Sequence, residues 1–297
     1  MLWNILLGLV LISGIIIVDF QTMVFALMIY FIGMSLIILT NKDNLKYILK
    51  IYNISFIINF FYLLICYIFM TCHNYQYLLA YDTINVYIPT TKFYLAQGNF
   101  FNALSEIWHE HAFLSRNIPG YYTLLIFFGS ISSALNANLY VSLQLSTLLF
   151  ACFIGVVIFK ILLYTDIPKE KSYKYVLLIS IFSVIFFYST QILRDIPITL
   201  FYLLAILITF TPKYSIVNII KLSLLIVITA LFRIESGLFL FVLIPVYLLL
   251  TLQKSKNKII VVCISLGIFI VLFIFALNNR TEISSIYENN RIYYVEG

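Results

Sequence analysis

The chain reads as a series of continuous apolar runs separated by short polar interruptions. A helix needs roughly 20 apolar residues to cross a bilayer. Runs near that length fall at about 2–18, 21–40, 51–71, 139–163, 175–193, 196–212, 216–232, 236–252 and 259–277. Their apolar character is unbroken rather than alternating, which predicts helices and not the strands of a barrel. A shorter, more polar run, "YYTLLIFFGSISSALN" at 121–136, is left over, and 72–118 is the one long hydrophilic stretch. Within it, "NFFNALSEIWHEHAF" (99–113) has helical spacing. Phe100, Leu104, Ile107, Trp108 and His111 share one face, while Glu106, His109 and Glu110 lie away from it. Such a helix is expected to rest in the membrane interface with its Trp at headgroup level. The opening run lacks a basic start and a small-residue cleavage site, so it reads as a span and not as a signal peptide.

The loops set the orientation. "NKDNLK" (41–46), "KEKSYK" (169–174) and "QKSKNK" (253–258) are the basic ones, and basic loops stay in the cytoplasm. That assigns 72–118, the Arg194–Asp195 turn, the Arg233–Glu235 turn and the tail from 278 to the outside. Between 118 and 165 the chain must then cross an odd number of times. The run at 121–136 is therefore expected to be a half-inserted helix that returns to the outer face, and 139–163 to be the crossing. The fold class that follows is an all-α, polytopic integral membrane protein of the plasma (inner) membrane, with about 9–10 membrane helices. An outer-face loop carries interfacial helices. Three parts are expected: 1–50 with additional membrane helices and a basic inner loop, 51–252 as the main membrane module, and 253–297 as a last helix and outer tail.

Composition agrees. The chain is 63% hydrophobic and 10% charged, against about 25% charged in soluble domains. The net charge of +6 reflects lysine-rich cytoplasmic loops and not a nucleic-acid partner. Cys66, Cys72, Cys152 and Cys263 contain no C-x-x-C pair, and three fall in apolar runs, so neither a disulfide framework nor a zinc site is expected.

The charges sort by type across this topology. Of the thirteen lysines, all but Lys92 lie on or near the cytoplasmic side. The five arginines (Arg116, Arg194, Arg233, Arg280 and Arg291) and nine of the twelve acids lie outside. A guanidinium grips phosphate with two parallel hydrogen bonds and keeps its charge when partly dry. Charges at membrane depth default to a functional reading, so chemistry is expected at the outer face. Asp82 follows the third span closely. A carboxylate at that boundary, shielded from bulk water, can act as a general base, and it can also cap the helix that "DTIN" opens. Arg194 and Asp195 are adjacent, so on a helix they diverge and each seeks its own partner. Arg233 and Glu235 form a second such turn at the same depth. Together these suggest a site for an anionic lipid headgroup, with simple interfacial anchoring as the alternative. His109 and His111 are two apart and point to opposite sides of a helix, which argues against zinc. No metal site is assigned, although a divalent cation between Asp82 and Glu110 is an open alternative.

These features occur in a telling order. An Asp after a span is followed by a helical outer loop with "LAQGNF" and by the "PGYY" step at 119–122. A short helix, a full span and a basic inner loop come next, and the following span ends outside at "QILRDIPITLFYLL". Over roughly residues 50–250 this resembles the N-terminal module of the GT-C membrane glycosyltransferases, which include protein O-mannosyltransferases and aminoarabinose–lipid A transferases. The resemblance implies that Asp82 is the first-loop catalytic carboxylate, which activates the acceptor hydroxyl, and that Asp195 is the second outer acid. Arg194 and Arg233 would contact the phosphate of a polyprenyl-phosphate-linked sugar, with Glu235, Tyr87, Glu110 and Arg116 in support. The acceptor would be a lipid, glycan or protein, and no cofactor is implied because the donor carries its own leaving group. The chain departs from the family's usual pattern at several points. Thr83 stands where a second acid is common, Tyr87 comes one residue late, and two extra spans precede Asp82. Three other readings remain: an O-antigen or exopolysaccharide polymerase of the Wzy or EpsG type, a lipid or polysaccharide transporter, and a purely structural membrane subunit. Transporters favour midplane charges and internal repeats, neither of which the sequence shows.

Overall fold

The computed structural model describes residues 2–40, 43–73, 83–98, 100–110, 119–165, 167–182, 184–210, 215–251 and 267. Every regular element among them is helical. In order they are α1 (Leu2–Ile17), α2 (Phe20–Thr40), α3 (Leu45–His73), a π-helical turn (Thr83–Tyr87), α4 (Ile88–Ala96), α5 (Phe100–Glu110), α6 (Pro119–Ala134) and α7 (Leu139–Leu162). Then come α8 (Lys169–Phe182), α9 (Val184–Tyr188), α10 (Asp195–Thr209), α11 (Ile216–Phe232), α12 (Ile234–Phe241) and α13 (Leu243–Thr251). Among the described residues three helices are long and apolar enough to cross a membrane: Phe20–Thr40, Leu45–Cys72 and Leu139–Leu162. Shorter apolar helices include those at Asp195–Thr209 and Ile216–Phe232. Helix α6 has 16 residues, about 24 Å at 1.5 Å per residue, less than the hydrocarbon thickness.

Two expected spans are interrupted, and both breaks have local causes. The run at 175–193 begins earlier, at Lys169, because Pro168 precedes it and its carbonyl accepts the Ser172 N–H at 2.9 Å. Proline's fixed φ suits a helix start, so the basic segment is drawn into α8. The helix gives out after Tyr188, where the Ser189 and Thr190 hydroxyls turn back onto the carbonyls of Phe186 (2.6 Å) and Phe187 (3.3 Å). Such back-bonding competes with the helical ladder, and Pro197 has no N–H with which to continue it past Leu193. The run at 236–252 divides at Val242 into α12 and α13. Pro245 cannot donate to the Phe241 carbonyl, and its ring crowds that turn. The expected span at 259–277 lies outside the described residues, Gly267 apart.

The chain divides into two compact units, Met1–Ser105 with Tyr122–Leu203, and Glu106–Tyr121 with Leu204–Gly297. In the first unit α7 is the core helix, buried almost without a break from Val141 to Phe159. Helix α3 packs along it, and α2 and α8 also lie against it. Lipid tails are as apolar as leucine, so close packing and interhelical hydrogen bonds hold such helices together. The fully buried Tyr52 sits at the centre of the packing, its ring 5.8 Å from Tyr30, 6.1 Å from Phe56 and 5.9 Å from Phe153. Its hydroxyl donates to the Tyr30 carbonyl at 3.1 Å, and the Tyr30 hydroxyl donates to Asn53 Oδ1 at 3.0 Å. A polar seam joins α2 to the start of α7. Asp19 Oδ1 accepts the Thr22 N–H at 2.6 Å, Thr22 Oγ1 accepts the Asn138 N–H at 2.8 Å, and Asn138 Oδ1 caps the Val141 N–H at 3.2 Å. At the other end of α3, the Tyr47 hydroxyl donates to Glu170 Oε1 at 3.0 Å. The Glu170 carboxyl is held below its usual range by its own backbone N–H, then by that hydroxyl, with Lys169 adding to the effect.

In the second unit α11, α12 and α13 pack together. The buried Tyr247 anchors α13 to α11, its hydroxyl accepting the Ser215 N–H at 3.0 Å and the Asn218 Nδ2 at 3.1 Å.

Tyr52→Ala empties the centre of the first unit. It is expected to lower stability by about 3–5 kcal/mol, read as a fall in unfolding temperature of the detergent-solubilised protein.

Candidate functional site

The segment Ser189 to Leu193 is non-helical and buried, an unusual combination in a chain of apolar helices. Irregular backbone out of reach of water persists only where protein groups take the place of water. Here they do. The Thr190 carbonyl accepts from Gln144 Nε2 of α7 at 2.6 Å, and the Ile192 carbonyl accepts from Thr83 Oγ1 at 3.2 Å. The Ser189 hydroxyl shares its one proton between the Phe186 carbonyl and Asn59 Oδ1 of α3, and Asn59 Nδ2 donates to the Ser55 carbonyl at 2.6 Å. Gln144 is itself steadied by Tyr140 at 3.0 Å, while its Oε1 is buried without a hydrogen-bond partner. The turn then delivers Arg194, half-buried, and Asp195, exposed, at the first residue of α10. A carboxylate in a helix's first turn interacts favourably with the positive end of the dipole.

Thr83 opens the π-helical turn, a rare geometry that recurs at functional sites. It is fully buried, and its tie to Ile192 joins the stretch that follows α3 to the Arg194 turn. Asp82, its neighbour in sequence, lies outside the described residues, as does Arg116. Tyr87 closes the π-turn, buried against Tyr122 of α6 with ring centroids 6.0 Å apart. Helix α5 forms where the amphipathic pattern predicts it. Ala103 and Ile107 are buried, while Phe101 and Trp108 are exposed, so Trp108 stands off the buried face. The described part of Glu110 is the backbone that ends this helix. Among the described residues no group of three or more His, Cys, Asp and Glu side chains is placed to hold a metal ion.

The second Arg-plus-acid turn belongs to the second unit. Arg233 is extended (φ −165°) and is the only residue between α11 and α12. Its Nε lies 3.6 Å from Glu235 Oε2, with both side chains nearly half exposed. A pair so open to solvent contributes at most about 1 kcal/mol. Two close approaches fix the end of α11. A Cβ on Gly237 would come within 2.5 Å of the Ala230 Cβ, and one on Gly120 within 2.5 Å of the Leu231 carbonyl oxygen. Arg233 is therefore held by backbone-level packing, with glycine on both sides of the helix end.

Sequence reasoning singled out the charges at these turns and missed the residues that hold the first one in place. Asn59, Thr83, Gln144, Ser189 and Thr190 are the support. Their signal was available, since polar side chains inside "YNISFIINFF" and "SLQLST" have no reason to be in an apolar run unless they meet a polar partner.

Gln144→Leu leaves the Thr190 carbonyl without its buried donor. It is expected to destabilise the fold by about 1–3 kcal/mol, measured by thermal unfolding in detergent, with Gln144→Asn recovering little because the shorter side chain falls short of the carbonyl. Compared with family models, with curated proteins and with solved structures, the chain matches none.

Proposed function

We propose that this chain is a multi-pass membrane glycosyltransferase with about 9–10 membrane helices, working at the extracytoplasmic face of the plasma membrane. It takes a sugar from a polyprenyl-phosphate donor and passes it to a hydroxyl of a lipid, glycan or protein acceptor. The observation that carries this reading is the Thr83–Ile192 hydrogen bond. It ties the residue after Asp82 to the turn that presents Arg194 and Asp195. Base-assisted transfer from a lipid phosphate needs a carboxylate and a cation to work at one place.

In this reaction the Asp82 carboxylate accepts the proton of the acceptor hydroxyl as its oxygen attacks the anomeric carbon. The bond from that carbon to the phosphate oxygen breaks, and polyprenyl phosphate leaves with the electron pair. Arg194 meets the charge that develops on the departing phosphate, where a fixed cation acts most strongly because water is scarce. Asp195, exposed at the start of α10, orients the acceptor hydroxyl. Arg233 is half exposed and pairs with Glu235, which suits a supporting place at the membrane rim.

Asp82→Asn should lower sugar transfer by about 100-fold or more in purified, folded protein supplied with a polyprenyl-phosphate sugar. An unchanged rate removes Asp82 from the chemistry. Arg194→Ala should weaken donor binding by about 2–5 kcal/mol, read from equilibrium binding of the same donor, and unaltered affinity would count against a phosphate contact.

A further inference from the structure

The lysines of the inner end are not confined to loops. Lys46 and Lys50 belong to α3, Lys169, Lys171 and Lys174 to α8, and Lys160 to the last turn of α7. Helices α3, α7 and α8 pack on one another in the first unit. Their register is fixed where Tyr47 donates to Glu170 and its ring lies 6.0 Å from Phe159 and 5.8 Å from Tyr173. Farther along, Gly155 of α7 approaches both Ile51 of α3 and Ser180 of α8.

That register decides where two of the lysines sit. Residues three or four apart share a helix face. Lys50 is three residues on from Tyr47, and Lys174 is four on from Glu170, so both lie on the sides of α3 and α8 that carry the contact, one turn farther into the helices. Lys50 is half-buried and Lys174 exposed, and neither has an ion pair among the described residues. Lys160, half-buried, directly follows the Phe159 that meets Tyr47. Two carboxylates are described at this end: Glu170 is already engaged by the Tyr47 hydroxyl, and Asp43 lies exposed in the turn before α3, a full turn short of Tyr47 and farther still from Lys50 along the chain. Topology alone asks only for positive charge in a loop. Cations on the facing sides of two packed helices repel one another, and they call for an anion at the level where the helices enter the membrane.

We propose that Lys50 and Lys174, flanked by Lys46, Lys160 and Lys171, bind the phosphate of an anionic phospholipid from the cytoplasmic leaflet. The ammonium groups meet the headgroup phosphate, and the lipid's tails run down the apolar surface beside α3 and α8. Basic clusters at the cytoplasmic end of membrane helices recognise anionic lipids in this way. The site is independent of the transfer chemistry at the opposite face.

The test is lipid retention by the full chain, purified from mixed micelles of phosphatidylglycerol and phosphatidylcholine and followed by native mass spectrometry and thermal unfolding. Native protein should retain phosphatidylglycerol preferentially and unfold at a higher temperature in its presence. The double variant Lys50→Gln, Lys174→Gln should bind that lipid at least tenfold more weakly, whereas Lys50→Arg, Lys174→Arg should keep it, which separates loss of charge from loss of fold. Lys92→Gln should also keep it. Equal retention of the two lipids, equal binding by the glutamine variant, or the same stabilisation by glycerol phosphate alone would each overturn the proposal.

Discussion

A backbone buried away from water has no solvent to turn to, so each carbonyl and amide must find a partner within the protein. The first unit depends on how this demand is met between α9 and α10. Five residues there, Ser189 to Leu193, lie outside the regular helices while staying buried. Asn59, Thr83 and Gln144, from three separate elements, supply the hydrogen bonds that water would otherwise give. The same contacts that make the irregular segment tolerable also aim the two residues that follow it, Arg194 and Asp195. Structural necessity and placement of the charged pair are thus one arrangement.

Much of this was readable from pattern and some was not. The apolar runs at 21–40 and 139–163 became α2 and α7 with bounds within a residue, because nothing inside them competes with the ladder. The run at 175–193 looked equally apolar, yet it breaks. Hydropathy is blind to Ser189 and Thr190 turning back on their own carbonyls and to Pro197 withholding a donor farther on. The run at 236–252 fails for the same class of reason at Pro245. Local chemistry overrode the average in both places.

The candidate site divides in a similar way. Arg194, Asp195, Arg233 and Glu235 stood out because a charge in an apolar chain is conspicuous. Gln144 and Asn59 did not, since an amide carries no charge to mark it, and only the geometry reveals which carbonyl it serves. In α5 the residues buried within the protein are Ala103 and Ile107, and the indole of Trp108 is exposed beside them.

The link between α11 and α12 has no slack. One extended residue, Arg233, ends one helix and begins the next, and Gly237 comes back against Ala230, seven positions earlier. Adding or deleting a single residue here would rotate α12 by about 100° about its axis. A deletion would bring Leu238, and an insertion Ser236, to the position where only a hydrogen atom fits. Length at this corner is thus as strictly specified as identity, and homologous chains should vary in sequence around it well before they vary in spacing.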